Sequence, residues 1–369
     1  MADKLKQSVL KIRRKLLRLP AFLPDATMGY VRAVDSRDLR RINIQAVVMN
    51  TFHLMQKPGS STVQYFNGLH EFANWEDIIF TDSGGFQAYS LIHESDRFGS
   101  LTDRGIVFHP EGKLRKFILT PEKSVQLQVS FDTDVVICLD DCTHVDAPRE
   151  EQESSVTRTL DWAKRCKQEY LHQMDQRQLD EEKRPLIFGV IQGGGYPDLR
   201  RMCADGLLEL GFDGFGYGGW PLDSQGNLLE DMVSLTRDLV PEAYPMHALG
   251  IGHPLNLLKT YQLGYQIFDC ALPTRDARHG RLLRYTQPLE SHLDSRGEWL
   301  AYVYIQDKKY IKDNRPISEF CDCPVCRHYS LGYLHHLFKT GDWLFARLAT
   351  LHNLRFMTQL TEQLRKNNE

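Results

Sequence analysis

Residues 186–192 read LIFGVIQ, and residues 135–141 read VVICLDD. Both runs are almost continuously apolar, which is typical of strands buried on both faces of a parallel sheet. Six further short runs occur along the chain: 20–24 (PAFLP), 46–50 (AVVMN), 78–82 (IIFTD), 212–219 (FDGFGYGG), 245–252 (PMHALGIG) and 267–273 (IFDCALP). Helical or loop stretches separate them, which indicates parallel crossovers. We therefore predict an α/β fold, a (β/α)8 TIM barrel, although a doubly wound sheet gives similar local patterns.

Polar residues and glycines cluster where these runs end. They are Asp82, Asp140 with Asp141, Gln192, Gly218 with Gly219, Gly250 with Gly252, and Asp269. The carboxyl ends of parallel barrel strands converge on one mouth, where barrel enzymes have their active sites. A single such carboxylate would most simply cap a helix or a turn. Because the pattern recurs after several strands, we predict one shared site.

A second pattern lies near the carboxyl terminus, where residues 321–326 read CDCPVC. Cys321, Cys323 and Cys326 with one histidine provide a donor set that closes a tetrahedral shell around Zn²⁺. Four protein ligands leave no open position for substrate, so the predicted zinc is structural. The histidine candidates are His328, His335 and His336, which are nearer in sequence, and His352, which lies in a long helical stretch that can fold back over the cysteines.

Composition sets the broad class. The chain has 369 residues, 42% of them hydrophobic and 25% charged, enough for one large domain or two smaller ones. No apolar run approaches the roughly 18 residues of a membrane span, and the start lacks a secretory signal, so we expect a cytoplasmic protein. The net charge of −3 means that a nucleic-acid partner would need a local basic surface.

We divide the chain into a basic segment (1–19), a barrel (20–285) and a zinc-binding subdomain with helices that complete the barrel (286–369). Residues 1–19 place apolar residues at helical spacing, so they read either as a helix docked on the core or as a phosphate-binding arm. A second basic group, which includes Arg275 and Arg278, directly follows a predicted strand. Residues 95–120 contain a predicted hairpin that turns at Pro110-Glu111-Gly112.

Two carboxylates at a barrel mouth suit a double displacement at a sugar carbon, in which one attacks covalently and the other moves protons. Asp82 and Asp269 are the candidates. Asp82 opens DSGGFQ, where Ser83 and two glycines allow backbone amides to approach a ligand closely. Asp140 and Gln192 supply acceptor and donor groups that suit the polar edge of a purine.

From about Pro20 onward the chain resembles the tRNA-guanine transglycosylase (queuine tRNA-ribosyltransferase) family. The matching segments are Asn50 to Leu54, Asp82 to Gln87, Asp140 to Cys142, Ile191 to Gly194, Phe268 to Arg275, the cysteine cluster and Tyr333 to Leu337. The resemblance implies a zinc-bearing barrel, usually a homodimer, that exchanges guanine at the anticodon wobble position of tRNA for a 7-deazaguanine base.

The same resemblance implies roles for individual residues. Asp269 would attack the ribose C1′ to give a covalent RNA adduct, and Asp82 would take the proton of the incoming base. The residues implied in base binding are Ser83, Phe86, Asp140, Gln192, Gly219, Trp220, Leu249 and Gly250, with Phe86 and Leu249 on the two faces of the base. Arg275 and Arg278 match residues that contact the anticodon loop, and Cys321, Cys323, Cys326 and His352 match the Zn²⁺ ligands.

The chain departs from the family pattern at two places. After the glycine pair it has Trp220-Pro221-Leu222-Asp223, where the family resembles Leu-Ala-Val-Gly-Glu. In the family this peptide offers a carbonyl to an aminomethyl substituent or an N–H to a nitrile. Because proline has no N–H, we expect the aminomethyl base to be preferred. The family usually has strands ahead of the first barrel strand, whereas residues 1–19 read as helical here.

Three alternative functions remain at this point. A relative that inserts 7-deazaguanines into DNA would share the barrel and both aspartates. A non-catalytic RNA-binding partner subunit would need neither aspartate. An unrelated barrel hydrolase with a structural zinc would leave the combined motifs unexplained.

Overall fold

Eight parallel strands form a barrel in the computed structural model, which describes residues 8–87, 90, 99–108, 116–144, 146–289 and 293–367. The strands are β1 Ala21–Pro24, β2 Ala46–Asn50, β3 Ile78–Asp82, β4 Val135–Ile137, β5 Leu186–Ile191, β6 Gly214–Tyr217, β7 Met246–Ala248 and β8 Ile267–Cys270. They pair in the order β1-β8-β7-β6-β5-β4-β3-β2. A parallel bridge between Asp25 and Val48 joins the two ends of this sheet. Each strand lies within a predicted run, so the predicted barrel is confirmed.

Helices follow the strands and cover the outside of the barrel. The α-helices are Ser36–Arg41, Thr51–Leu54, Ser60–Tyr65, Leu69–Ala73, Pro121–Ser130, Arg149–Gln176, Pro197–Leu210, Glu230–Asp238, Pro254–Gln262, Leu272–Arg278, Pro324–His328, Leu331–Thr340 and Trp343–Lys366, with a π-helical turn at Met55–Gly59 and a 3-10 turn at Lys308–Tyr310. Among helices in the described part of the chain, none has the length and apolar character needed to cross a bilayer.

Alternate residues of the barrel strands point inward and fill the interior. The inner cluster of buried side chains includes Ala21, Leu23, Ala46, Val48, Ile78, Phe80, Val135, Phe188 and Ile267. The intervening residues, such as Val47, Ile79 and Phe268, belong to the outer cluster, which packs against the helices. Because side chains alternate along a strand, each position is assigned to the interior or to the helix layer by its register.

The amino-terminal segment forms a β-hairpin rather than a helix. Val9–Ile12 and Lys15–Arg18 pair antiparallel, with Leu10 opposite Leu17. Leu10, Ile12, Leu17 and Leu19 are buried and belong to the inner cluster, so the hairpin closes the amino-terminal end of the barrel. The helical interpretation was therefore wrong, as was the supposed departure from a family that begins with strands. A few apolar residues in a short segment fitted both periodicities, and packing against the open barrel end selects the strands.

Basic side chains of the hairpin are held at the barrel bottom by acidic residues. Asp134, which is fully buried, contacts Lys15 Nζ at 3.1 Å and Arg13 Nη1 at 3.4 Å. His70 Nε2 lies 3.1 Å from the same carboxylate. Burial by itself raises the pKa of Asp134, but the hydrogen bond from His70 and the charges of His70, Lys15 and Arg13 lower it overall. These contacts favour a capping role for the hairpin over a phosphate-binding arm at this end.

Two small antiparallel sheets and a break between the last two helices complete the fold. Gly99–Thr102, Gly105–Phe108 and Phe117–Leu119 form an antiparallel sheet beyond β3, whose first two strands turn at residues 103–104. The predicted turn at residues 110–112 lies outside the described residues. Arg281–Tyr285 pairs with Leu300–Tyr304, and this hairpin leads to the cysteine cluster. Gly341, at φ +68, ends one helix immediately before the last long helix.

Two adjacent leucines in the hairpin test its role as the barrel cap. Leu17 is 0% exposed and Leu16 is 64% exposed. We expect Leu17→Ala to lower the free energy of unfolding by about 2–5 kcal/mol because it leaves a cavity in the inner core. Leu16→Ala should change it by less than about 0.5 kcal/mol. Urea unfolding of both variants measures the difference, and equal midpoints would contradict the capping role.

Candidate active site and metal centre

The inward alternation that fills the barrel also brings both predicted catalytic carboxylates to its mouth. On β3 the inward residues are Ile78, Phe80 and then Asp82, and on β8 they are Ile267 and then Asp269. The charge of Asp269 contributes to raising the pKa of Asp82, which requires the two carboxylates to lie near each other. The predicted pair therefore shares one site at the carboxyl ends of the strands.

Asp82 is held by donors from the start of the helix after β2. Its Oδ2 accepts a hydrogen bond from Asn50 Nδ2 at 2.7 Å. Its Oδ1 accepts from the backbone N–H of Thr51 at 3.2 Å and of Gly84 at 3.1 Å. Burial raises the pKa of Asp82 to about 7, although these hydrogen bonds lower it. Near neutral pH the carboxyl group therefore exists in both protonation states, as a proton-transfer group requires.

Asp269 has one carboxylate oxygen held by two donors, and among the described residues the other has none. Oδ1 accepts hydrogen bonds from His247 Nε2 at 2.8 Å and from the backbone N–H of Gly250 at 3.2 Å. Gly250 is at φ +75, a conformation that favours glycine. Gly250, a predicted base-binding residue, therefore lies next to Asp269. Sequence analysis missed His247, although its position within the run PMHALGIG was a visible signal of a polar residue inside a barrel strand.

Asp140 and Gln192 form a buried polar pair beside the two catalytic candidates. Gln192 Nε2 donates to Asp140 Oδ2 at 2.6 Å. Burial raises the pKa of Asp140 to about 7, while the bond from Gln192 lowers it. Gln192 Oε1 is buried with no hydrogen-bond partner among the described residues. The neighbouring Asp141 instead pairs with Arg158 of the long helix Arg149–Gln176, so it has a structural contact on the outside of the barrel.

The glycine pair leaves room for Gln192. A Cβ on Gly218 would lie 2.6 Å from Gln192 Nε2, and Gly219 is at φ +81, so neither position accommodates a larger residue easily. Arg200, which the sequence analysis did not identify, supports these loops from below. Its guanidinium donates to the carbonyls of Ile191, Gly194 and Gly218 at 3.0, 2.9 and 3.1 Å. It also lies 4.1 Å from the ring centroid of Tyr217.

Aromatic side chains lie at the rim. The rings of Phe86 and Trp220 meet edge to face at 5.6 Å, and His144 lies 5.7 Å from Trp220 on the other side. Phe86 is 44% exposed and Trp220 is 40% exposed, so part of each ring lies at the surface. Leu249 lies over Gly216, where a Cβ would meet its Cδ1 at 2.9 Å. Ser83 is buried, and its hydroxyl accepts from the N–H of Gly85 within the turn.

Both predicted arginines lie on the helix Leu272–Arg278, which follows the strand of Asp269. Arg275 is exposed and Arg278 is partly buried. Burial lowers the pKa of Arg278, and the positive charges of Arg32 and Arg275 lower it further. Arg32 therefore belongs to the same positive group, although it is distant in sequence and was not predicted. Arg278 Nη1 has no hydrogen-bond partner among the described residues.

The predicted metal ligands meet in one cluster, and His352 rather than a nearer histidine completes it. The Sγ atoms of Cys321, Cys323 and Cys326 lie 3.7, 3.4 and 3.3 Å from His352 Nδ1. A tetrahedral Zn²⁺ with ordinary bond lengths separates sulfur and nitrogen ligands by about 3.5 Å. His352 Nε2 lies 2.6 Å from the Leu283 carbonyl, which fixes its proton there and leaves Nδ1 facing the thiols. The geometry and donor set fit zinc.

Substitution of a predicted ligand tests the metal centre. We expect the purified protein to contain stoichiometric zinc, and His352→Ala or Cys323→Ala to lose it and to unfold at lower temperature. His335→Gln is the matched control, since that buried histidine lies outside the cluster and should leave the zinc content unchanged. Elemental analysis with thermal unfolding measures both effects. Full zinc retention by His352→Ala would contradict the assignment.

Comparison with known proteins gives a consistent result across nearly the whole chain. Residues 3–367 match the family model described as queuine tRNA-ribosyltransferase. Relatives named queuine tRNA-ribosyltransferase include those of Psychrobacter sp. (strain PRwf-1), 37% identical over 95% of this chain and 86% of the relative, and of Idiomarina loihiensis, 37% identical over 95% and 87%. A putative queuine tRNA-ribosyltransferase of Archaeoglobus fulgidus is 34% identical over 99% of this chain and 93% of its own length. The chain therefore belongs to the queuine tRNA-ribosyltransferase family.

Proposed function

We propose that this protein exchanges guanine in tRNA for a 7-deazaguanine base through a covalent bond between Asp269 and the ribose. The observation that carries the proposal is the pair of carboxylates at the barrel mouth. Asp269 has one oxygen that no donor reaches among the described residues, and Asp82 has a pKa of about 7. The names of the relatives, which refer to queuine and tRNA, support the same reaction class, a pentosyl transfer.

The first half of the reaction releases guanine. Asp269 Oδ2 attacks the ribose C1′ and forms a C–O bond while the bond from C1′ to guanine N9 breaks. The electron pair of that bond goes to the departing base, and Asp82 in its protonated form supplies a proton. The product is an ester between Asp269 and the ribose of the RNA.

The second half reverses these steps with a different base. Asp82, now a carboxylate, takes the N9 proton of the incoming base as N9 attacks C1′. The ester bond to Asp269 breaks, and the carboxylate is regenerated. Two displacements at one carbon restore the original configuration of the ribose. Asp82 thus needs both protonation states during one cycle, which is why a pKa of about 7 suits it.

Base recognition is assigned to Asp140 and Gln192. A guanine-type base presents N1–H and an exocyclic amino group as neighbouring donors. The Asp140 carboxylate and the buried Gln192 Oε1, which has no partner among the described residues, are neighbouring acceptors. Phe86 and Leu249 are placed to contact the faces of the base, as stacking on an unpaired base generally requires. A pyrimidine has a smaller ring system and does not present this pair of donors on it.

The nucleic-acid surface is assigned to the helix Leu272–Arg278. Arg275 and Arg278, with Arg32 beside them, provide positive charge next to the nucleophile, where the phosphates flanking the target nucleotide must pass. The chain as a whole has a net charge of −3, which does not attract nucleic acid, so this local group of arginines is needed. The proposal also includes Zn²⁺ as a structural ion.

Trapping the adduct tests the function directly. With guanine-containing tRNA and no added base, we expect the protein to form a covalent complex that survives denaturing electrophoresis, and Asp269→Asn to form none because the amide is a poor nucleophile. Labelled-guanine exchange should be lost in parallel. Asp180→Asn is a control, since the exposed Asp180 pairs with Lys183 in the segment before β5 and its loss should leave the adduct intact.

Duplex DNA and two alternative bases form the other arms of this assay. We expect exchange with tRNA and none with DNA, and faster incorporation of the aminomethyl base than of the nitrile base, because the Trp220–Pro221 peptide has no N–H to offer a nitrile. Adduct formation with DNA alone would overturn the tRNA assignment. An adduct that persists in Asp269→Asn would overturn the proposed nucleophile.

The pKa of Asp82 predicts opposite pH dependence for the two half-reactions. Guanine release needs protonated Asp82, so its single-turnover rate should fall as pH rises through about 7. Incorporation needs the carboxylate, so its rate should rise through the same range. Asp82→Asn should lower both rates about 10²- to 10⁴-fold and remove the dependence. Saturating tRNA in the release arm and saturating base in the incorporation arm keep binding by Asp140 out of the measurement, and parallel pH profiles for both half-reactions would contradict this role.

A further inference from the structure

We infer that His247 is a positioning residue for the nucleophile: it holds Oδ1 of Asp269 and stabilises the carboxylate as the incoming base displaces it. This inference rests on the proposed function and adds a group to it. The primary observation is the 2.8 Å contact between His247 Nε2 and Asp269 Oδ1. Because a carboxylate only accepts hydrogen bonds, Nε2 carries a proton and donates it to Oδ1.

Packing alone does not explain a histidine at this position. His247 is 0% exposed and lies on β7, with its ring edge to face with Phe80 at 5.8 Å. Other inward residues of the barrel, such as Phe80, Phe188 and the register partner Ile267, are apolar. His247 Nδ1 is buried without a hydrogen-bond partner among the described residues, which costs free energy. Among the described residues, the ring forms one hydrogen bond, to Asp269.

The contact determines which oxygen of Asp269 reacts. His247 Nε2 and the N–H of Gly250, at 2.8 and 3.2 Å, both donate to Oδ1. Among the described residues no donor reaches Oδ2, so the lone pairs of Oδ2 remain available to attack C1′. The strand register supports this arrangement, because His247 lies opposite Ile267 and Ala248 lies opposite Phe268, one residue before Asp269. His247 thus approaches Asp269 from the adjacent strand.

The two half-reactions use this hydrogen bond differently. When Oδ2 bonds to C1′, the carboxylate loses its charge and Oδ1 becomes the ester carbonyl, which accepts a weaker hydrogen bond. When the incoming base displaces the ester, negative charge returns to the carboxylate and the bond from His247 strengthens. The contact therefore favours release of Asp269 in the second half, while in the first half it orients Oδ2 at the expense of some nucleophilicity.

A pair of substitutions with similar length separates hydrogen bonding from packing. His247→Gln keeps an N–H donor that can reach Oδ1, and His247→Met fills similar space without one. We expect His247→Met to lower kcat for base exchange about 10- to 100-fold, as for loss of a hydrogen bond to a charged group. KM for the base should be unchanged because Asp140 and Gln192 bind it. The covalent adduct should make up a larger fraction of the enzyme at steady state.

His247→Gln should restore most of kcat and return the adduct to the level of the unmodified protein. Met246→Leu, on the same strand but in the outer cluster, is the control for general effects of substitution in β7. Equal kcat in the Met and Gln variants, or a smaller adduct fraction in His247→Met, would overturn the inference. If His247→Met does not fold, His247→Phe replaces it in the comparison. Failure of the unmodified protein to exchange guanine or form an adduct would instead refute the proposed function.

Discussion

The alternation of side chains along strands of a closed parallel barrel is the constraint on which the rest of this structure depends. Each inward position must be filled, and the filling changes from apolar to polar along the strand: Ile78 and Phe80 precede Asp82, and Ile267 precedes Asp269. The buried apolar layer raises the cost of charge directly above it, which is the main cause of the raised pKa of Asp82. Packing and catalytic chemistry are thus two consequences of one register.

The metal cluster lies outside the barrel strands, but it supports the helix Leu272–Arg278, which follows Asp269. His352 contacts the Leu283 carbonyl, and the adjacent Asn353 accepts from the N–H of Leu283 at 2.9 Å. The amide of Asn353 donates to the carbonyls of Pro273 and Arg281 at 3.0 and 3.1 Å. One turn of the last helix therefore connects the cysteine cluster to the helix Leu272–Arg278. A structural ion here would fix the basic helix relative to Asp269 without taking part in the reaction.

Sequence reasoning succeeded where the signal is local and failed where it depends on packing partners. Continuous apolar runs identified all eight barrel strands, since strands buried on both faces need them, and the polar residues after those runs identified the mouth. The 1–19 segment was misread because a few apolar residues fit two periodicities, and only the open end of the barrel selects the hairpin. Arg32 was missed because the arginines it lies near are distant in sequence, and Arg200 because its partners are backbone carbonyls, which leave no signal in the sequence. Sequence analysis chose Asp140 over Asp141 for the base pocket, and the structure gives the two different contacts, with Gln192 at Asp140 and Arg158 at Asp141.

Asp82, Asp140 and Asp269 bring negative charge to the mouth of a site that, under the proposed function, receives a polyanion. The structure offsets this charge in two ways. Burial raises the pKa values of both Asp82 and Asp140 to about 7, so near neutral pH a substantial part of their negative charge is absent before a ligand enters. Arg275 and Arg278 lie on the helix that follows the third acid, Asp269, and Arg32, from an earlier part of the chain, adds its charge to the same group. Entry of a base that donates to Asp140 then favours its carboxylate form, because a hydrogen bond to the charged form lowers the pKa. Ionisation is thereby coupled to occupancy by a base with the right donors, and this coupling favours guanine-type bases over bases that present acceptors at the same positions.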